Sequence, residues 1–138
     1  RHRGTRGMRQ LRDAIRLSDP GAESPQETRT RLVLTSADLR PKRTQIEVLD
    51  RYGVFVGRVD MGWDNWLVGV EYDGQQHWTD PKIRAGDIER QARLEALGWR
   101  IIRVSAEMLR YRPHVIVERV QAALRDAGAL RLPDCAPV

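Results

Sequence analysis

Cysteine is almost absent from this chain. Cys135 stands alone, in the tail LPDCAPV. One cysteine cannot close an internal disulfide, and the paired spacing of a structural zinc site is missing, so neither device organises the fold. That usage suits a reducing cytoplasm. Lysine is nearly absent too: of 24 basic residues only Lys42 and Lys82 are lysine. No apolar run approaches the roughly 20 residues a membrane span needs. No apolar stretch follows the opening RHRGTRG, so nothing there reads as a signal peptide. A membrane is therefore not expected as a partner, and a cytoplasmic location is. The first residue is Arg1 rather than methionine, so a longer protein is expected.

The 138 residues, 41% of them hydrophobic and 31% charged, suffice for one globular domain with a real core. The net charge is +5 and its positive side is almost all arginine. Arginine forks onto phosphate, so the balance permits nucleic-acid binding. The plainer reading is the arginine-rich codon usage of a GC-rich genome.

Hydrophobic periodicity organises the rest. TRGMRQLRDAIRLS (5–18) reads as a short basic amphipathic helix, broken by DPGAE. Ser24 as N-cap, Pro25 at the first position and Glu27 as the capping-box acid predict a helix from Pro25 to Ala37. TQIEVLD (44–50), VFVGRVDM (54–61) and WLVGVEYDG (66–74) are strand candidates, joined by the turns RYG and GWDN. Such short connections imply an antiparallel meander. The apolar run Leu67 to Val70 marks a central strand covered on both faces. A helix is predicted over Pro81–Leu97, with Leu94 and Leu97 fixing its apolar face and Gly98 as its stop. A fourth strand, WRIIRVSA (99–106), is expected parallel to 66–73 because a helix lies between them. AEMLRYRP reads as a turn before a last helix over 114–128. The order α-α-β-β-β-α-β-α is that of an α/β domain.

The chemistry concentrates near VEYDGQQHW (70–78). Side chains at i and i+2 of a strand share a face, so Glu71 and Asp73 point the same way. A tight turn through 62–65 would place Asp60 near the beginning of the next strand, and a twist or bulge would be needed to bring it to Glu71. If they meet, two ionised carboxylates repel, and a divalent cation reverses the sign of that term. Oxygen ligands suit Mg²⁺ or Mn²⁺. The alternative is a solvated strand end. Asp87 and Arg90 share a helix face and form either a surface ion pair or a site element, with Arg90 on a phosphate or on an active-site acid. Lys82 and Arg84 are placed to reach a nucleic-acid backbone. Arg40, Lys42 and Arg43 read as a solvated turn. Trp99 reads as core and Trp66 as the start of the central strand. Trp63 and Trp78, in loops flanking the proposed site, are candidates to stack on bases, or else plain packing residues.

Asp60, with Glu71 eleven residues on and Glu27 upstream, resembles the PD-(D/E)XK nuclease superfamily. RVDMGW, VEYDGQQHW, Asp87-x-x-Arg90 and LEALGWRIIRVSAEML together resemble the domain of unknown function 559 group, related to very-short-patch-repair endonucleases. The resemblance covers about residues 21–126. It implies a restriction-endonuclease-like core: a mixed sheet of about four strands, an antiparallel meander plus one parallel strand, flanked by helices. It implies that Asp60 and Glu71 bind the metal, that Glu27 completes the shell, and that the substrate is DNA. Asp73 stands where the superfamily usually has lysine. The resemblance gives His77 the acid–base part, which a pKa near neutrality suits; the alternative is a loop residue that caps a helix. Actinobacterial members of the group often carry an N-terminal winged-helix part.

The expected organisation is a basic helical segment or linker at 1–20, an endonuclease-like domain at 21–128 and a flexible tail at 129–138. The expected function is Mg²⁺- or Mn²⁺-dependent hydrolysis of DNA, with Asp60, Glu71, Asp73, His77 and Glu27 at the site and Arg90, Lys82, Arg84 and Trp78 on the nucleic acid. The competing readings are a catalytically silent DNA-binding or regulatory module, in a toxin–antitoxin or transcription-factor-like setting, and a structural partner-binding domain.

Overall fold

The structure, a computed structural model, describes residues 23–74 and 80–130. The expected helix over 5–18 lies outside them, as do His77, Trp78 and the tail beyond residue 130. The elements are α1 (Pro25–Ser36), β1 (Arg43–Leu49), β2 (Phe55–Trp63), β3 (Val68–Asp73), α2 (Pro81–Ala96), β4 (Arg100–Ser105), α3 (Ala106–Tyr111) and α4 (Pro113–Ala127). They form an α/β domain around one mixed sheet of order β1-β2-β3-β4, with β1–β3 antiparallel and β4 parallel to β3.

Local chemistry sets the element ends. Ser24 caps α1 and Glu27 returns the bond, completing the capping box beside Pro25. Asp80 caps α2 by accepting from the Lys82 and Ile83 amides. AEMLRYRP is not a turn: Ala106–Tyr111 is a short helix, started by the Ser105 hydroxyl accepting from Met108 N. Gly128 ends α4 in the left-handed conformation.

β3 is interior, and Val68, Gly69, Val70 and Glu71 are all buried, as its apolar run implies. One side of the sheet carries the larger core: Met61, Trp63, Val70 and Val104 against Leu34 of α1, Met108 of α3, and Ile116 and Val120 of α4. The other side carries Val59 and Ile46 against Leu94 of α2 and Trp99. Ile83 and Ile88 stay exposed on α2. That helix turns a mostly polar face to the sheet, which its sequence does not announce.

The hairpin between β2 and β3 differs from the expected one. The turn is 64–67 rather than 62–65. Trp63 is buried and donates its indole N–H to Arg40 O at 3.1 Å, so β2 runs on through it. Trp66 N and Leu67 N then bond back to Trp63 O and Asp64 O, and Leu67 takes φ 55°. Trp66 therefore sits in the turn, half-exposed, and does not open β3. Trp63 is core and unavailable for stacking. The register becomes Met61↔Val70, Gly62↔Gly69 and Trp63↔Val68. Gly62 is required there: a Cβ would lie 2.3 Å from Val68 O.

Candidate active site

Moving the turn by two residues sets Asp60 and Glu71 just beyond the last pair of the β2–β3 ladder, where β2 is irregular: Val59 and Met61 fall on opposite sides of the sheet. Met61↔Val70 is the last pair between β2 and β3. Asp60 and Glu71 are the next residues on each strand, at the point where the strands part. There the Asp60 carboxylate replaces the missing ladder: Oδ2 accepts from Tyr72 N at 2.8 Å. On the other flank, Thr44↔Met61 and Ile46↔Val59 leave Gln45 across from Asp60. Gln45 has φ 50°, a conformation that costs a non-glycine residue about 1–2 kcal/mol. Its amide donates to Glu27 Oε1 at 2.9 Å. That hydrogen bond ties the first turn of α1 to β1 opposite Asp60.

Asp60 is electrostatically the unusual group. Its carboxyl is pushed from 3.8 to about 7, first by burial and then by the charge of Glu27. Glu71 adds to the rise, while the Tyr72 N–H and Arg90 oppose it. Asp60 thus lies within the electrostatic field of both Glu27 and Glu71.

Glu71 and Asp73 share a face, as strand alternation requires, and that face lies under α2. Glu71 is buried and held by a two-pronged bond: Arg90 Nη1 to Oε2 at 2.9 Å and Nη2 to Oε1 at 2.7 Å. The stem of Arg90 crosses Gly57, where a Cβ would lie 2.9 Å from its Cδ. Arg90 also bonds Asp87 at 3.2 Å, and its pKa is raised above its ordinary value mainly by the bonds to Glu71. The parallel register sets Glu71↔Arg103 and Asp73↔Ser105. Arg103 reaches Asp73 at 3.2 Å, Asp87 at 3.0 Å and Glu71 at 3.9 Å, and donates to Gln91 at 3.2 Å. Burial works to raise the Asp87 carboxyl, but the bond and charge of Arg103 prevail and hold it below its ordinary value. Two arginines therefore compensate Glu71, Asp73 and Asp87, whereas among the described residues Asp60 forms no ion pair.

Of the two roles expected for Arg90, holding an acid is the one its geometry shows; its fork is occupied and not presented to a phosphate. Lys82 and Arg84 lie exposed in the first turn of α2. Among the described residues, no group of three or more His, Cys, Asp or Glu side chains is arranged as a ready metal cage. Sequence reasoning missed Arg103, Gln91 and Gln45. Arg103 was accessible, because a charged residue interrupting RIIRVS two positions past Ile101 shares that strand's α2-facing parity. Gln45 gave no signal, since its place depends on one left-handed backbone angle.

A family model, REase_MTES_1575, matches residues 37–124, spanning every site residue above except Glu27. Two curated relatives are both from Mycobacterium tuberculosis: uncharacterized protein Rv2248 of strain H37Rv and uncharacterized protein MT2308 of strain CDC 1551. Each is 29% identical over 118 residues, which is 86% of this chain. The chain spans 43% of the length of those relatives. No solved structure matches it at a significant level. Among the described residues, no helix is long and apolar enough to cross a membrane.

Proposed function

We propose, for a chain that belongs to the restriction-endonuclease-like family REase_MTES_1575, that this nuclease-type domain hydrolyses DNA phosphodiesters with the help of a divalent cation. The observation that carries the reading is Asp60: a largely buried carboxyl raised to about 7, at a strand fork, in the field of two further carboxylates. Among the described residues such a group has no ion-pair partner, and Arg90 acts on it only through its charge, so the surplus is of hard oxygen donors. That donor chemistry fits Mg²⁺ or Mn²⁺, with Asp60 as anchor and Glu71 and Glu27 flanking. When bound, such an ion polarises the phosphodiester and acidifies water. The finer likeness, to the domain of unknown function 559 group and the very-short-patch-repair endonucleases, belongs to this same proposal and points to a repair or defence role.

The chain's own residues have separable tasks. Asp60 keeps its orientation through the Tyr72 N–H. Arg90 fixes the Glu71 carboxylate in one plane, and Asp87 in turn steadies both Arg90 and Arg103. Gln45 holds Glu27 toward the fork. Asp73 is engaged by Arg103, and the family resemblance gives the proton transfer to His77.

Cleavage of supercoiled and mismatched DNA in Mg²⁺ or Mn²⁺ tests this. Wild type should cut and Asp60→Asn should not. Equal cutting by both, or none by wild type, overturns it. One observation favours a second reading, a silent DNA-binding module: Asp73 occupies the position where the nuclease pattern has lysine. That reading expects salt-sensitive DNA binding without cleavage, unchanged in Asp60→Asn.

A further inference from the structure

The cluster Arg40, Lys42 and Arg43 read in sequence as a solvated turn; in the fold it lines one side of a groove. The groove has a volume of about 950 Å³ and is bordered by Arg31, Arg40, Lys42 and Arg43, with Trp63 and Trp66 also on its wall. Among the described residues Glu23 is its one acidic lining residue against those four cations. We infer that this groove binds the phosphodiester backbone of a DNA single strand that continues from the carboxylate fork.

Three features support that occupant. First, charge: Arg31 pairs with Glu23 and Arg43 with Asp64, each at 3.1 Å, but Arg40 and Lys42 form no ion pair among the described residues. Both side chains are exposed, and Lys42 acts on Asp64 only through its charge. Second, preorganisation: the backbone that carries them is fixed at both ends. Trp63 Nε1 bonds Arg40 O at 3.1 Å, and Lys42 N bonds Gly62 O at 3.0 Å. Third, continuity with the fork: Arg43 pairs with Gly62, two residues from Asp60, and lies two residues from Gln45. That is about 7 Å along the strands. On α1, Arg31 stands one turn beyond Glu27 on the same face. Trp66, 39% exposed in the hairpin turn, lines the groove wall, and an aromatic side chain beside a basic groove is how unpaired bases are held.

This inference rests on DNA being the substrate, yet it can fail separately. The test is fluorescence anisotropy of a labelled DNA single strand and of a duplex, in the Asp60→Asn protein so that nothing is cut. Arg40→Glu with Lys42→Glu should weaken single-strand binding at least about tenfold and lower the slope of log affinity against log salt by about 1.4, the value for two lost phosphate contacts. Trp66→Ala should weaken single-strand binding and leave that slope unchanged. Arg51→Glu, an exposed charge reversal at the β1–β2 turn, should do neither. Single-strand binding unaffected by the double reversal, or equally weakened by Arg51→Glu, overturns the groove. So does a Trp66→Ala effect confined to the duplex. Groove-dependent binding without cleavage by wild type would refute the catalytic proposal and keep this one; cleavage with groove-independent binding would do the reverse.

Discussion

Replacing Asp60 by asparagine should make the protein more stable, and only at higher pH. Asp60 has an ordinary carboxyl pKa of 3.8 and is pushed up to about 7 in the fold. An acid whose pKa is higher folded than unfolded binds its proton more tightly in the native state. Its ionisation therefore opposes folding, and stability falls as pH rises from about 4 to about 7, then levels off. The whole difference corresponds to about 4 kcal/mol. Local relaxation and water access reduce this, so about 2–4 kcal/mol is the working range. Asparagine keeps an oxygen for the Tyr72 N–H but carries no charge beside Glu27 and Glu71. In chelator, urea unfolding of the two proteins should give nearly equal stability at about pH 4, with Asp60→Asn ahead by about 2–4 kcal/mol at about pH 8. A gap of the same size at both ends would show that burial and neighbouring charge do not act as described. A variant less stable than wild type at about pH 8 would refute the reasoning outright.

Two other perturbations probe the supports of the site. Arg90→Gln leaves the buried Glu71 without its fork, and Arg103 at 3.9 Å compensates only in part; the expected loss is about 2–4 kcal/mol by urea unfolding. Adding Glu71→Gln should recover most of that loss, and additive losses would contradict the pairing. Gly62→Ala sets a methyl 2.3 Å from a backbone oxygen that cannot step aside, so it should cost about 3 kcal/mol and loosen the β2–β3 pairing; amide exchange at Val68 and Val70 that matches wild type would count against this.

The sequence made the architecture legible because its signals were local. A capping box, a consecutive apolar run and a helix between two strands suffice to give α1, an interior β3 and a parallel β4. The site was legible in part, for a different reason. Strand alternation alone places Glu71 beside Asp73. The meeting of Asp60 with Glu71 depends on where the hairpin turns, and that is decided by Trp63 packing into the core and bonding Arg40 O, a contact between distant segments. The same holds for α2. Its sequence shows Leu94 and two isoleucines, but what it lays on the sheet around Leu94 is Asp87, Arg90 and Gln91. A helix docking through charges is invisible to hydrophobic periodicity, since the partners that neutralise those charges lie on β3 and β4.

Glu27 gives the start of α1 a second role. Its Oε1 accepts from the Ser24 amide at 3.4 Å, closing the helix cap, and from Gln45 at 2.9 Å, facing the fork. One oxygen thus serves the helix cap and, under the proposed function, a metal centre. If a cation draws that oxygen, as the proposed function has it, the cap loses an acceptor and the first turn of α1 would loosen. On that proposal the end of α1 would act as a gauge of the centre it borders, and a change at Ser24 would alter the surroundings of a bound ion without replacing any of the residues proposed to hold it.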